Sequence, residues 1–313
     1  MIRKAANLLA RQAWFRKFLL GTPVLRDLAG RFVGGDDLAS GARAARSLNA
    51  RGIQASLNFH GMHVLEEGEA IASADEAIQA LRLIRAENLD SHVSVKLTKI
   101  GLDVDPCLCR AQLIRVLDTA AETGVFVRMD MEEAVYADAT LRLFEDMQDR
   151  YGTERVGLVI QSYLRHRSGD LDRLMARSAR IRLVKGGYRE SAEQVFRAKA
   201  EVDAAFLSDI ERLMTRGASP AIATHDSDAI AWTLSLQQRL GLGKQDFEFQ
   251  MLYGVKPELQ DRLVADGYRV RCYIPYGGDW ATHLVGCLRR IPAGTLAHLT
   301  QWAPGRRRAA SGC

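Results

Sequence analysis

Eight short segments rich in β-branched and aliphatic residues recur along the chain, and they constrain its fold more than any other feature. They are spaced by roughly 20 to 40 residues, the interval at which a strand and its returning helix repeat. The predicted strands are 54–59, 93–98, 125–130, 156–161, 181–185, 221–224, 247–252 and 270–275. Between them lie stretches with helical periodicity, two of which are 74–87 and 192–207. Eight strands alternating with helices over about 250 residues predict a (β/α)8 barrel.

Each of these helical stretches places apolar residues on one face. The two faces consist of Ala74, Ile78, Leu81 and Ile84 in the first, and Val195, Ala198, Val202 and Phe206 in the second. An open doubly wound sheet is the main alternative, but no Gly-x-Gly-x-x-Gly follows any predicted strand. We therefore predict an α/β fold, with a TIM-like barrel in 51–303, a helical arm in 1–50 before it and a basic flexible tail in 304–313.

The composition is that of an ordinary globular protein, with 47% hydrophobic and 26% charged residues, which excludes disordered and collagen-like classes. No apolar run approaches the ~18 residues of a membrane span. The first residues lack the apolar core and the cleavage site of a signal peptide. The five cysteines form no Cys-x-x-Cys pair and the seven histidines show no paired spacing. We therefore expect reduced thiols, a cytoplasmic location and no metal site.

The formal net charge is +5, and the excess of basic residues is concentrated at the two ends of the chain. Basic residues interleave with Trp14, Phe15 and Phe18 near the start, which would suit peripheral contact with an anionic membrane. A solvated amphipathic helix and a frayed tail explain the same pattern without a partner. We favour this second interpretation, leave membrane contact open and predict no nucleic-acid partner.

Polar residues at the carboxyl ends of the predicted strands are the ones to examine, because the active site of a (β/α)8 barrel lies there. Lys96 is flanked by Val95 and Leu97 and so points into the barrel, where an unpaired charge is costly. Asp130, on the next strand, is the nearest candidate partner. The pair either fills the barrel as a structural ion pair or shapes a substrate pocket, and a third interpretation is that Lys96 is a lysine with a depressed pKa.

A second group of residues suggests an anion site. Arg182 and Lys185 precede Gly186 and Gly187, and glycines let backbone amides approach a phosphate closely. This segment is weak alone, since Lys-Gly-Gly is common at strand ends. With Thr224 and His225 on the following strand, it predicts a phosphate or cofactor site.

Seven strings of the chain resemble the proline dehydrogenase family and occur in the order found there. They are SVKLT (94–98), RMDME (128–132), VIQSYL (159–164), RLVKGGYRE (182–190), ATHD (223–226), FEFQMLYG (247–254) and YIPYG (273–277). The resemblance, over roughly residues 50 to 292, implies a distorted (β/α)8 barrel with non-covalently bound FAD. It also implies oxidation of a C–N bond by hydride transfer to flavin N5, with electrons passing on to a membrane quinone.

The resemblance assigns roles to particular residues. It implies that the cofactor contacts Gln161, Arg182, Lys185, Gly186, Gly187, Thr224 and His225. Of these, the first two would lie at the isoalloxazine ring, the next three at the pyrophosphate, and the last two at the ribityl and ADP portions. It implies that the substrate pocket is lined by Lys96, Asp130, Tyr188, Leu252 and Tyr273.

The chain departs from the family where the substrate carboxylate is held. The family's last barrel helix carries a tyrosine followed, after two residues, by an arginine pair; here His283 takes the tyrosine position and Gly286-Cys287 the arginine positions. Arg289 and Arg290 come three residues later. The glutamate that ends the family's first strand is Met62 here. Because bidentate Arg–carboxylate contacts are strong, this loss suggests a substrate other than free L-proline, such as a modified or decarboxylated cyclic amine or a differently held amino acid.

Three alternatives stay open. A shift of the last helix would let Arg289 or Arg290 hold the carboxylate after all. A barrel aldolase or lyase would use Lys96 as a Schiff-base lysine with phosphate at Lys185 and Gly186. A barrel that has lost catalysis would serve as a binding module. The intact segments expected to hold FAD favour the flavoenzyme. Peripheral contact with the inner membrane, where a quinone would accept electrons, stays open.

Overall fold

The computed structural model describes residues 31–60, 64–165 and 167–278. These residues contain a closed barrel of eight parallel strands in sequential order, in which the first strand pairs with the last. The strands are β1 (Gln54–Phe59), β2 (Ser91–Val95), β3 (Val127–Met129), β4 (Val156–Gln161), β5 (Arg180–Val184), β6 (Ala218–Ala223), β7 (Glu248–Leu252) and β8 (Arg269–Tyr276). The predicted (β/α)8 barrel is confirmed.

Helices alternate with these strands on the outside of the barrel. In the described ranges they are α1 (Leu38–Asn49), α2 (Glu67–Ala86), α3 (Pro106–Thr123), α4 (Ala137–Tyr151), α5 (Ser168–Ala176), α6 (Lys199–Arg216), α7 (Ser227–Leu240) and α8 (Pro257–Ala265). Two short 3-10 helices, Leu97–Ile100 and Ala134–Tyr136, follow β2 and β3. None of the helices in the described part of the chain has the length and apolar character needed to cross a bilayer.

Local sequence explains where these elements begin and end. The Asp105 side chain accepts hydrogen bonds from the backbone N–H groups of Cys107 and Leu108, and Pro106 occupies the first turn, so α3 begins there. Gly124 ends α3 in the left-handed conformation. The predicted face of α2, from Ala74 to Ile84, is buried against the barrel as expected.

Only β1 and β4 have the predicted bounds, and two of the other differences, at the end of β2 and before α6, are the most informative. The strand predicted at 93–98 ends at Val95, because residues 97–100 turn into a 3-10 helix. The helix predicted from residue 192 begins at Lys199. Val195 instead forms an antiparallel bridge with Leu164, which holds this part of the chain against the loop after β4. An apolar periodicity cannot distinguish a helix from an extended segment that docks one apolar residue.

The two faces of the strands differ in chemistry. Alternate residues such as Leu57, Ile181 and Phe249 belong to the apolar core shared with the helices. The intervening residues point into the barrel, and many of these are polar: the fully buried ones include Ser56, Ser94, Arg182, Glu248, Gln250 and Arg271. Barrel interiors are usually filled by branched aliphatic residues. This interior is therefore unusual, and it must satisfy its charges internally.

Helix α1 covers the junction between β1 and β8, contacting both strands. Next to it, the Gly34 N–H donates to the Pro275 carbonyl at 2.8 Å and the Gly277 N–H donates to the Gly35 carbonyl at 2.9 Å. Residues 31–49 thus contact the barrel. The predicted division of the chain at residues 50 and 303 stays a prediction.

Candidate functional site

Four side chains meet at the carboxyl end of the barrel, and we call them the mouth cluster: Lys96 and Asp130, directly after β2 and β3, and Arg182 and Tyr273, on β5 and β8. One oxygen of Asp130 accepts a hydrogen bond from Arg182 Nη1 at 3.0 Å. The other accepts from the Tyr273 hydroxyl at 2.9 Å and lies 3.9 Å from Lys96 Nζ. The predicted pairing of Lys96 with Asp130 is present, and Arg182 is the closer partner of that carboxylate. Lys96 also donates to the Tyr188 hydroxyl at 3.4 Å.

The surroundings of the mouth cluster set the protonation states of its members. Burial alone lowers the pKa of Lys96, but the nearby Tyr188, Tyr273 and Asp130 outweigh it and raise that pKa well above its ordinary value. The prediction of a depressed lysine pKa is therefore wrong. Burial, together with the charge of Asp130, raises the pKa of Tyr273 well above 10. Near pH 7 Lys96 is a cation and Tyr273 a neutral hydrogen-bond donor.

Glu132 fixes the loop that carries Lys96. Its carboxylate accepts from the Thr98 N–H at 3.0 Å and from the Thr98 hydroxyl at 2.8 Å. Burial raises the pKa of Glu132, while Lys96 and the bonds from Thr98 oppose that rise. No role is predicted for Glu132 from the sequence. Its position two residues after Asp130 was the available signal, because the two loops are neighbours at the same end of the barrel.

Gln161, the last residue of β4, presents an unfilled acceptor to the barrel end. Its Nε2 donates to the backbone carbonyls of Met131 at 2.9 Å and Glu132 at 3.2 Å. These two bonds fix the orientation of the amide. Its buried Oε1 has no hydrogen-bond partner among the described residues. A buried acceptor without a donor is costly, so this position suits a ligand N–H.

The segment after β5 is held tightly. Lys185 Nζ donates to Asp203 Oδ1 at 2.5 Å and to Asp226 Oδ2 at 2.6 Å, so two carboxylates already neutralise it. These bonds raise the pKa of Lys185 although burial opposes them. Gly186 has a φ of +101°, and a Cβ there would lie 2.1 Å from the Tyr163 ring. Only glycine fits this position, and Gly187 follows it in the same exposed loop.

The ends of β6 and β7 are joined through His225. The Leu252 N–H donates to His225 Nε2 at 2.9 Å, and Lys256 Nζ donates to the His225 carbonyl at 2.8 Å. The Thr224 hydroxyl accepts from the Asp226 N–H at 3.0 Å. The two residues predicted to contact a cofactor thus hold the loops after β6 and β7 in place. Leu252 is half-buried at this edge of the barrel.

Four residues of the predicted substrate region lie outside the described residues: Met62, His283, Arg289 and Arg290. The others predicted for the site all lie at or near the carboxyl ends of the strands. Their placement there agrees with one site, and the roles assigned to them stay predictions.

A second group of buried charges lies deeper in the barrel, and we call it the floor cluster: Arg128, Glu248 and Arg271. Arg271 Nε donates to Glu248 at 3.1 Å, and Arg271 Nη1 donates to the Ala55 carbonyl at 2.8 Å. Arg128 Nη1 donates to the Leu158 carbonyl at 3.3 Å. Burial alone would raise the pKa of Glu248, but Arg271, Arg128 and Arg269 lower it to about 2.

Gln250 connects the two clusters, since it contacts both Arg182 and Glu248. The connection of Gln250 with Glu248 and Arg271 is not among the features predicted from the sequence. A signal was available, because Arg271 lies between Val270 and Cys272 just as Lys96 lies between Val95 and Leu97. The same argument about buried charge applies to both.

Chemically, the mouth cluster can orient a small polar molecule. Lys96 is protonated and Tyr273 is neutral, so neither is a ready nucleophile or base at pH 7. No group of three histidine, cysteine, aspartate or glutamate side chains within residues 31–60, 64–165 and 167–278 is arranged to hold a metal ion. The site therefore suits a reaction in which the protein positions its ligands.

Comparisons with known proteins agree with this geometry. The family model described as "Proline dehydrogenase" matches residues 42–285. Proline dehydrogenase 2 of Bacillus subtilis (strain 168) is 37% identical over 268 residues, covering 86% of this chain and 88% of that protein. Proline dehydrogenase of Deinococcus radiodurans is 36% identical over 269 residues, covering 85% and 87%.

Solved structures show the same fold. Proline utilization A (PutA) from Bdellovibrio bacteriovorus, inactivated by N-propargylglycine, matches with a TM-score of 0.79 and 24% identity. The match covers 84% of this chain and 32% of that one. PutA from Corynebacterium freiburgense matches with a TM-score of 0.73 and 22% identity over 99% of this chain and 36% of that one. The chain thus corresponds to about a third of these larger proteins.

Proposed function

The chain belongs to the proline dehydrogenase family. From this premise we propose that the protein uses FAD as its cofactor and oxidises a C–N bond of proline or of a proline-like amine. We propose further that the electrons then pass to a quinone or another acceptor. The chain is an oxidoreductase by its family membership. The observation that carries the proposal is the mouth cluster, in which Asp130 binds Arg182, Tyr273 and Lys96 inside a closed barrel.

The residues present fit a flavin. The buried Oε1 of Gln161 has no partner among the described residues and would accept from an N–H of the isoalloxazine ring. Gly186, held against Tyr163, keeps the loop after β5 close to that edge of the barrel. We propose that Gln161 and Arg182 hold the ring, that Lys185, Gly186 and Gly187 hold the pyrophosphate, and that Thr224 and His225 hold the remainder. FAD would supply a two-electron acceptor for hydride.

Lys185 qualifies this assignment. Its ammonium group is bound by Asp203 and Asp226, so its charge is compensated before any anion arrives. Contact with a diphosphate would require it to exchange one of these carboxylates. We therefore propose that Lys185 chiefly orders the loop and contacts a phosphate only after such an exchange.

The side chains of the mouth cluster would bind and orient the substrate. Tyr273, Tyr188 and Leu252 would enclose it, with Lys96 and Asp130 forming the polar wall of the pocket. Burial raises the pKa of both tyrosines, so both stay protonated and donate hydrogen bonds. The proposed roles of the protein are positioning and exclusion of water, and no general base is needed for hydride to leave. The raised pKa of Lys96 disfavours the alternative of a Schiff-base lyase, which needs a neutral lysine.

The identity of the substrate is a separate proposal. The resemblance to the family's motifs implies that Met62, Gly286 and Cys287 stand where the family has a glutamate and its arginine pair. The match to the family model ends at residue 285, so Arg289 and Arg290 lie beyond it. We propose a pocket that is less cationic and roomier than that of the family. Such a pocket would favour a substrate without a free carboxylate or with one held differently.

The proposal is tested by the visible spectrum of the purified protein before and after L-proline is added anaerobically. Flavin absorption that bleaches with proline in a saturable way would support the proposed reaction and contradict the altered substrate. Flavin absorption that persists with proline but bleaches with a cyclic amine would support the altered pocket. A colourless protein that FAD cannot reconstitute would contradict the proposed cofactor.

The location in the cell is likewise proposed. A cytoplasmic protein that contacts a quinone-bearing membrane peripherally would fit the basic start of the chain. Sedimentation with vesicles containing anionic lipid tests this contact, and a variant in which Lys4, Arg16 and Lys17 are replaced by glutamine is the control. Equal sedimentation of both proteins would contradict it.

A further inference from the structure

Gln250 lies inside the barrel on β7, between the floor cluster and the mouth cluster, and is 3% exposed. Its Oε1 accepts a hydrogen bond from Arg182 Nε at 2.5 Å. Its Nε2 donates to Glu248 Oε1. Glu248 and Gln250 are two residues apart on one strand and therefore point to the same side, so the three side chains form one chain of contacts.

The orientation of this amide is determined by its two neighbours. If the amide were rotated by half a turn, its NH2 group would face the Arg182 N–H and its oxygen would face the Glu248 carboxylate. Both contacts would then be repulsive, because arginine only donates and an ionised carboxylate only accepts. Glu248 is itself bound by Arg271 through Nε at 3.1 Å and Nη2 at 3.2 Å, so it is fixed in turn.

Arg182 depends on this contact for its orientation. Its Nη1 donates to Asp130 at 3.0 Å and its Nη2 donates to the Ser94 hydroxyl at 3.0 Å, with Ser56 more distant at 3.4 Å. The two serine hydroxyls also contact each other at 3.0 Å and can turn about their Cβ–Oγ bonds, whereas the amide oxygen of Gln250 is fixed by Glu248. The Nε–H bond to Gln250 is the contact nearest the stem of the side chain, and it sets the plane in which the guanidinium meets Asp130.

We infer that Gln250 is a positioning residue, which holds the guanidinium of Arg182 against Asp130 and is itself oriented by Glu248. The inference rests on the proposed function, because the role of Arg182 in the reaction comes from there. Through Gln250, the floor cluster fixes the geometry of the mouth cluster. Gln250 itself need not contact substrate or cofactor.

Two variants and a matched control test this inference. Gln250→Met keeps the volume and removes both hydrogen bonds. The double variant Glu248→Gln/Gln250→Glu exchanges the amide and the carboxylate, and so restores an acceptor for Arg182 Nε at unchanged total charge. The control is Gln148→Met on α4, because Gln148 is 6% exposed and also accepts from an arginine Nε, that of Arg177, at 3.1 Å.

The first measurement is hydrogen exchange of the Arg182 Nε–H in FAD-free protein, with the signal assigned by Arg182→Lys. We expect exchange about ten-fold faster in Gln250→Met than in wild type, from the loss of one hydrogen bond to a charged group. The double variant should recover most of the protection. Gln148→Met should leave this signal unchanged. Equal exchange in Gln250→Met and Gln148→Met would overturn the inference.

The second measurement is the dissociation constant for FAD, together with kcat and KM. We expect Gln250→Met to bind FAD about ten-fold more weakly and to lose kcat more than it changes KM. Faster exchange with unaltered FAD affinity and kcat would overturn the link to the site. If wild type neither binds FAD nor oxidises an amine, the proposed function fails, and the exchange measurement still decides whether Gln250 positions Arg182.

Discussion

The floor cluster and the mouth cluster are built from the same chemistry, a carboxylate with arginine, and they differ in where they lie along the barrel. In the floor cluster, Glu248 is bound by Arg271 and Arg269. Arg271 also donates hydrogen bonds to the Ala55 carbonyl and to the Gln54 side chain. In the mouth cluster, Asp130 lies where loops from several strands converge. Burial of charge is thus not a sign of function in itself. Position at the carboxyl ends of the strands separates the two.

The largest expected effect comes from breaking the floor cluster. Glu248→Leu leaves Arg271 and Arg128 buried without a carboxylate, and we expect the free energy of unfolding to fall by about 3–5 kcal/mol. Urea denaturation measures this loss. In Glu248→Leu/Arg271→Leu the unpaired charge is reduced, and much of the stability should return. Glu154→Leu, which breaks the exposed pair with Arg180, is the control and should cost under ~1 kcal/mol. A Glu248→Leu loss no larger than this control would contradict the comparison.

Breaking the mouth cluster should instead remove activity. We expect Arg182→Met to reduce kcat by about 10²–10³-fold, as loss of a fixed electrostatic contact does in other enzymes. Its unfolding free energy should fall less than that of Glu248→Leu, because Asp130 keeps Tyr273 and Lys96 as partners. Arg182→Lys should not restore the rate, since a lysine lacks the planar fork. If Arg182→Met loses stability but keeps its kcat, the mouth cluster would be structural in the same way as the floor cluster.

The floor cluster should also make stability depend on acid. Because the pKa of Glu248 is about 2 in the folded protein and near 4.5 when unfolded, its contribution is present above about pH 5. It is lost as pH falls from about 5 to 2, by an amount of order 3 kcal/mol. Urea denaturation at several pH values in this window measures the slope. Glu248→Gln should show a shallower slope, and identical slopes would show that other carboxylates dominate.

Tyr273→Phe tests the contribution of a single hydrogen bond within the mouth cluster. It removes one hydrogen bond to Asp130 and leaves the ring in place, so we expect kcat to fall by about ten-fold with little loss of stability. Tyr151→Phe is the matched control, since its hydroxyl donates to Asp118 at 2.6 Å on the outer helices. The control should leave kcat unchanged. Equal kcat values in the two variants would show that the Tyr273 hydroxyl does not contribute to the reaction.

The smallest effect sets the baseline for the comparison. Arg46 and Glu87 form an exposed ion pair, with side chains 55% and 36% accessible. We expect Arg46→Ala to change the free energy of unfolding by at most about 0.5 kcal/mol, because solvent screens such pairs. Urea denaturation checks this value, and high salt should reduce it further, because salt screens exposed charges. A loss approaching that of Glu248→Leu would mean that burial does not govern the energies of these charges.

The barrel could be predicted because its signal is local and repeated. All eight predicted strands are present in order, and two of them, Gln54–Phe59 and Val156–Gln161, have the predicted bounds. The pairing of Lys96 with Asp130 was also predictable, since a charge inside a strand needs a partner on a neighbouring strand. The end of β2 was not, because it depends on a contact between Thr98 and Glu132 across two loops.

The partners of Arg182 could not be predicted in the same way. They come from β1, β2, β7 and the loop after β3, and none of them adjoins Arg182 in the sequence. Which of them face one another depends on the stagger of the strands around the closed barrel. Hydrophobic periodicity carries no information about that stagger. A sequence therefore reveals which charges are buried more readily than it reveals which of them meet.

The position of α1 has a consequence for synthesis of the chain. Helix α1 precedes β1, yet it also contacts β8, and the Arg271 side chain closes the same seam by binding the Ala55 carbonyl 216 positions away. The edge of β1 that pairs with β8 therefore stays unpaired until β8 has left the ribosome. Closure of so distant a contact is slow, and an unpaired edge invites association with other chains. The early presence of α1 beside β1 covers one face of that strand during the interval, and so shields the apolar side of an edge that the chain cannot yet close.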